Sequence, residues 1–304
     1  MRVFVTGATG AIGGHAVPAL LRAGHEVSAL ARTPEKASAL TAQGAAAVPV
    51  SLFDRAALAD AFAGHDAVAN LASAIPPMSR FLSRKAWADC ARVRTEGSAA
   101  VADAALAAGV GRMVQESVSM LYRDHGAHWI DEDHPIDDYP LARSNIAAEH
   151  SAHRFTESGG AGVVLRFGWF YGPGAEHSEQ LLAQARHHIA VRLGAAGGYV
   201  SSIHMADAGR AVAAALDAAA GTYNVVDDEP LTKRDYAAAL ADAAGTRAWI
   251  HGPGRAALLL GDRLTSLTRS IRVRNAKFRE ATGWAPEFPS AREGWRATAG
   301  GRTG

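Results

Sequence analysis

The sequence predicts an α/β fold built on a doubly wound parallel sheet, and three observations carry that reading. Short apolar runs alternate with Ala/Leu-rich helical segments through the N-terminal half. The first apolar run, Val3-Phe4-Val5, leads into glycines at 7, 10 and 13. Those glycines open a long amphipathic segment, so the order is strand, tight turn, helix.

Each glycine has a physical use. Gly7 permits a turn with unusual dihedrals, Gly10 lets backbone approach a pyrophosphate, and Gly13 allows the helix to pack closely on its strand. A helix over 11–23, capped by Gly24, turns its unpaired N–H groups and positive dipole end toward the phosphates. Gly7, Thr9, Gly10, Ala11, Ile12 and Gly13 therefore form a candidate dinucleotide cradle of the Rossmann type.

The second strand is expected over 26–30, and its end bears on cofactor choice. An acid about 20 positions past the first glycine grips the 2′-hydroxyl of NAD. Here the chain reads Leu30-Ala31-Arg32-Thr33-Pro34, with no acid. The Arg32 guanidinium matches the 2′-phosphate of NADP(H) in charge and geometry. The plainer alternative is a solvated loop charge.

The alternation continues with strand 45–50, helix 55–63 and strand 66–71. A loop over 72–83 carries Pro76-Pro77. A long helix over 84–108 then stops at Gly109, and a strand follows over 112–117. Further strands are expected over 162–167 and 223–226, with a helix over 203–219 between them. Ligands of such a sheet sit over the carboxyl ends of its strands. The tail over 299–304 is expected to be disordered.

Bulk properties narrow the class. At 304 residues and 48% hydrophobic, the chain can bury one large core, or one core with a small satellite. Net charge is +1 with both signs interspersed, which argues against nucleic acid as a partner. Cys90 is the sole cysteine, excluding a disulfide framework and a Cys-based zinc site. A strand starting at residue 2 leaves no room for a signal peptide, and no apolar run approaches about 20 residues. A cytoplasmic location with no membrane partner is the expectation.

Several ordered stretches carry a resemblance: TGATGAIG, DAVANLAS, RMVQESVSMLY, VVLRFGWFYGPG, SSIHMADAGRAVAAAL, GTYNVVDDEP and TGWAPEFPSAREGW. Together they span nearly the whole chain, which resembles the extended short-chain dehydrogenase/reductases and, among them, the NAD-dependent epimerase/dehydratase branch. The resemblance implies a dinucleotide-binding Rossmann domain over 1–174, completed by 200–228. It also implies a smaller C-terminal substrate lobe over 175–199 and 229–304, a small-molecule substrate and a homodimer. Further cofactor contacts are implied at Leu52, at Leu71, Ala72 and Ser73, and at Phe167, Gly168, Trp169 and Phe170.

The family's chemistry rests on a Ser/Thr ending the fifth strand and a Tyr-x-x-x-Lys pair on the next helix. The tyrosine trades a proton with substrate, and the lysine lowers its pKa. This sequence departs from that pattern. Anchoring on Ser144 and Glu149 puts Leu141 at the tyrosine position and Asn145 at the lysine position, where it would meet the cofactor. A competing register two residues upstream offers Tyr139 and Arg143. Two residues on a helix are about 200° apart, so both registers cannot face one site. Pro140 suits a first helical turn and leaves Tyr139 at the cap, which favours the Ser144/Glu149 register.

At the fifth strand the Ser/Thr position holds Val118, flanked by Ser117 and Ser119. Alternation points the two serines together, either toward the site or toward local backbone groups. Tyr122, Trp129, Tyr171 and Arg272 are further candidates for substrate contact, each with a packing or solvated alternative. The trio Asp131-Glu132-Asp133 with His134 reads as a solvated turn rather than a metal site.

Three functions follow. The first is an NADP(H)-dependent oxidoreductase acting on a carbonyl or alcohol with a substitute proton donor. The second is a non-redox cyclase, dehydratase or isomerase that keeps the dinucleotide. The third is a cofactor-binding regulator without turnover.

Overall fold

The computed structural model describes residues 1–300. Its centre is a seven-stranded parallel sheet of β1 (Arg2–Thr6), β2 (Glu26–Leu30), β3 (Ala46–Val48), β4 (Ala67–Asn70), β5 (Arg112–Val118), β6 (Ala161–Phe167) and β7 (Gly221–Val225). The spatial order is β7-β6-β5-β4-β1-β2-β3. Strand order reverses between β1 and β4, and that switch point leaves a crevice at their carboxyl ends.

Period-two alternation sends each strand's side chains to both faces. Val3 and Val5 of β1 enter one core cluster, and Phe4 enters the other. Helix α1 (Gly13–Arg22) packs on the Val3 face; α2 (Pro34–Ala42) follows β2. Helix α3 (Arg55–Phe62) covers the Phe4 face with α4, which comprises Ala88–Arg92 and Ser98–Ala107 joined by a π-helical Val93–Gly97. Helix α5 (Pro140–Glu157) completes that layer.

Toward the C-terminus, α6 (Glu176–Arg186), α7 (Met205–Ala214), α8 (Lys233–Ala243) and α9 (Ala291–Gly300) follow. Helix α7 packs against α1 on the sheet. A separate cluster built on Tyr171, Leu182, Leu240 and Trp295 ties α6, α8 and α9 together.

Some expected boundaries shift. The first helix starts at Gly13 rather than 11, because the glycine turn runs through Ile12. The helix expected over 203–219 starts at Met205, behind a short strand Ser202–His204. The helix expected over 84–108 opens with a 3₁₀ turn and carries the π-helical segment. Helix α9 runs through Gly300, so the expected disordered tail is helical at 299–300. The rest of that tail, 301–304, lies outside the described residues. Among the described residues no helix is long and apolar enough to cross a membrane.

Candidate active site

The glycine turn is packed so closely that side chains are excluded. Gly7 has φ +69°, and a Cβ there would meet the Leu71 carbonyl carbon at 2.5 Å. A Cβ on Gly13 would meet the Gly7 oxygen at 2.2 Å. This turn floors a cleft of about 540 Å³ over the ends of β1, β2 and β4. Gly7, Thr9, Gly10, Ala11, Ile12, Arg32, Leu52, Leu71, Ala72, Ser73 and Phe170 all line it. Gly13 lies beneath the lining and acts through packing.

Sequence reasoning missed other walls of this cleft. Lys36 joins Arg32, four positions earlier, and both are exposed. Phe53 lies under the Arg92 guanidinium, 4.2 Å from its ring centroid. The shape and donor set fit a nicotinamide dinucleotide: a close-packed turn at a helix start, and cations in place of an acid after β2.

An outer cavity of about 310 Å³ adjoins the cleft, sharing Ala11, Ile75 and Phe170 with it. Leu141 and Asn145 stand one helical turn apart on α5 and both line this cavity. Tyr139 is the extended N-cap residue, with Pro140 in the first turn. The Ser144/Glu149 register is therefore the one that faces the cavity.

The upstream pair is corrected accordingly. Arg143 lies on the exposed side of α5 and ion-pairs with Asp138 at 2.7 Å. Tyr139 does line the cavity and is 5% exposed, but its hydroxyl donates to the Met120 carbonyl at 2.9 Å. Burial pushes that hydroxyl up to about 12, partly offset by the Arg269 guanidinium.

Alternation settles the serines. Val118 lines the outer cavity, while Ser117 points away and donates to Glu149 Oε1 at 2.6 Å. That carboxylate also takes a two-pronged bond from Arg166, at 2.8 and 2.7 Å. Ser117 is thus a structural partner rather than a catalytic or cofactor residue. Ser119, beyond the strand, lines a smaller inner cavity of about 150 Å³.

Other expected contacts are also displaced. Trp169 lines the outer and inner cavities rather than the dinucleotide cleft. Phe167 is wholly buried in the core, and Gly168 packs so closely on the 201–202 backbone that a Cβ would meet Ser201 O at 2.8 Å. Tyr122 is fully buried and donates to Asn224 Oδ1 at 2.7 Å. Tyr171 is fully buried against Trp295, with ring centroids 5.2 Å apart. The Arg272 guanidinium lies 4.1 Å from the Trp129 ring centroid and 4.7 Å from that of Tyr199. Tyr122, Trp129, Tyr171 and Arg272 serve packing and line none of the three cavities.

The group that sequence reasoning missed is Arg94, 4% exposed and projecting from the π-helical turn of α4. It donates to Asn145 Oδ1, and to both Glu116 oxygens at 2.7 and 3.0 Å. Burial is the largest single influence and disfavours its charge, yet the Glu116 carboxylate, with Cys90 and Tyr139 adding to it, holds the guanidinium above its ordinary value. The result is a neutralised, fixed Glu116–Arg94–Asn145 unit beside Leu141.

Comparison with known proteins identifies the family. The NAD dependent epimerase/dehydratase family model matches residues 3–226. The chain belongs to that family. A 3-diazoavenalumate denitrifying reductase from a Streptomyces species is 35% identical, over 97% of this chain and 99% of its own. The Thermus thermophilus UDP-glucose 4-epimerase, in complex with NAD, is 26% identical with a TM-score of 0.79, covering 99% of this chain and 98% of its own. A human epimerase family protein with NADPH has a TM-score of 0.80 at 24% identity, covering 99% of each chain.

This member of the epimerase/dehydratase family is an enzyme of the reductase/epimerase type. Its departure from the family's Tyr-x-x-x-Lys pair is physical as well as sequential. Leucine offers no proton, and the Asn145 amide is held between Arg94 and the Leu141 carbonyl, to which its Nδ2 donates at 3.0 Å. Arg94 sits among other charged positions, Arg92 and Glu96, and Glu116 among Gln115 and Ser117, so no local pattern set either residue apart.

Proposed function

We propose that the chain is an NADP(H)-dependent reductase of an aromatic small molecule whose reacting carbon carries its own leaving group, an arenediazonium. The observation that carries this reading is Leu141 and Asn145 in the cavity where the family keeps tyrosine and lysine. Reduction of a carbonyl leaves an alkoxide that needs a proton, and loss of a positioned acid costs about 10²–10⁴ in rate. The Tyr139 hydroxyl is committed to the Met120 carbonyl.

Bound NADPH supplies a hydride, and hydride plus Ar–N₂⁺ gives Ar–H and N₂, the C–N electron pair leaving with nitrogen. That balance needs no proton, so an active site can dispense with the relay. The 35% identical relative, named a denitrifying reductase of a diazo compound, supports the same chemistry.

The chain's own residues would position the reactants. Arg32 and Lys36 would hold the 2′-phosphate, and the turn from Gly7 to Ile12 the pyrophosphate. Asn145, fixed by Arg94, would present its amide to the nicotinamide end, and Trp169, Phe170 and Leu141 would enclose an aromatic ring. Residues 175–199 and 229–304 would make up the substrate lobe.

The test uses 4-carboxybenzenediazonium with C4-deuterated NADPH in ordinary water, against an enzyme-free control. Enzyme-dependent loss of NADPH absorbance with deuterium in the arene is the expected result. Conversion of substrate with NADPH unchanged would replace this reading with non-redox chemistry.

A further inference from the structure

The inner cavity lies behind the outer one, and the two share Met120, Trp169, His177, Ser266 and Leu267 in their walls. Lys233 lines the inner cavity and is 5% exposed. Its Nζ donates to the Leu193 carbonyl and, at 2.7 Å, to the Leu267 carbonyl. An ammonium has three donors, so one remains.

No carboxylate among the described residues ion-pairs with Lys233. Asp124 acts on it only through space; that carboxylate accepts the N–H groups of Gly126 at 2.9 Å and Ser270 at 2.8 Å. Burial lowers the Lys233 pKa to about 8, which leaves the ammonium mostly charged at neutral pH. A buried charge without a counter-ion is costly, and a hydrophobic side chain would fill this place more cheaply. Of the other cations on the cavity wall, Arg269 is neutralised by Asp137, while Arg192 forms no ion pair among the described residues.

We propose that Lys233 is the anchor for a substrate carboxylate, and that the substrate is an aryl carboxylic acid with an apolar spacer running from the outer cavity into the inner one. This rests on the reading above, in which the reacting ring occupies the outer cavity. The spacer would lie along Trp169, Leu193 and Ile271, and the carboxylate would take the third Lys233 donor, with Arg192 adding positive charge to the same wall.

The test is calorimetric binding of 5-phenylpenta-2,4-dienoate and of its methyl ester to the NADP⁺-loaded protein. Wild type should bind the acid about 10–100-fold tighter than the ester, and Lys233→Gln should bind both at about the wild-type ester affinity. Equal binding of acid and ester by wild type overturns the inference, as does discrimination that persists in Lys233→Gln. The wild-type comparison stands even where the variant fails to fold.

The two readings fail separately. Diazonium-dependent NADPH oxidation without acid–ester discrimination removes the Lys233 anchor and keeps the reductase. Discrimination without NADPH oxidation keeps the anchor and removes the reductase.

Discussion

Arg94 and Asn145 lie 51 positions apart in sequence, yet the buried guanidinium of one donates to the side-chain oxygen of the other. The contact fixes an amide where the family places an ammonium, and it does so through a π-helical turn that carries Arg94 inward. Positive charge is thus kept near the site but is neutralised by Glu116 on β5.

Removing Arg94 should therefore cost mainly stability. Arg94→Met leaves the Glu116 carboxylate buried and unpaired, a penalty of about 3–5 kcal/mol. The double substitution Arg94→Met with Glu116→Leu should recover most of it, because neither charge then remains. Urea unfolding of the two single variants and the double variant reads this coupling; additive losses would show that the pair is not a unit.

Tyr139→Phe tests the proton relay. The variant loses one hydrogen bond to Met120, so about 1 kcal/mol of stability. If the hydroxyl takes no part in chemistry, kcat should stay within about threefold, against the ~10²–10⁴ loss expected of a general acid. Steady-state rates with the diazonium substrate decide it, and a hundredfold fall would return Tyr139 to catalysis.

The sheet and the phosphate turn were legible in the sequence for a simple reason. Glycine spacing and strand–helix alternation are local signals, and Gly7, Thr9, Gly10, Ala11 and Ile12 line the cleft. Boundaries slipped where one local signal overrode another, as when the glycine turn delayed α1 to Gly13. The Leu141/Asn145 register was also readable, because Pro140 sets the phase of α5.

Other features depend on distant partners and left little trace. Ser117 looked available until Glu149 and Arg166 met it across two strands and a helix. Arg272 looked like a candidate for substrate contact until its guanidinium met the Trp129 and Tyr199 rings. Arg94 sat in an unremarked helix, since nothing local announces that a turn is π-helical or that an acid 22 positions away will receive the guanidinium.

The proposed preference for NADPH rests on the two cations, Arg32 and Lys36, that line the cleft. Arg32→Ala and Lys36→Ala should each weaken NADPH binding by about 10–100-fold, as loss of a hydrogen bond to a charged group implies, while NADH binding changes little. Both residues are exposed, so the NADPH advantage should also shrink with added salt. Titrations with the two cofactors at low and high ionic strength provide the measurement. Equal losses for both cofactors would remove the 2′-phosphate assignment.

His204 makes stability depend on pH. It caps α7, with Nδ1 accepting from the Ala206 N–H at 3.3 Å, a role open only to the unprotonated nitrogen. It is 4% exposed, and burial lowers its pKa to about 4, with Asp207 pulling the other way. Between pH 6.5 and about 4 the unfolded chain binds the proton that the folded chain refuses, so stability rises with pH across that window. The contribution is fully present above about pH 6.5 and is lost as pH falls toward 4, amounting to about 3 kcal/mol. His204→Asn keeps a capping oxygen without the titration. Its urea-unfolding free energy should therefore fall less than that of wild type between pH 7 and pH 4, by about that amount. Parallel pH profiles for the two proteins would show that His204 is not the titrating group.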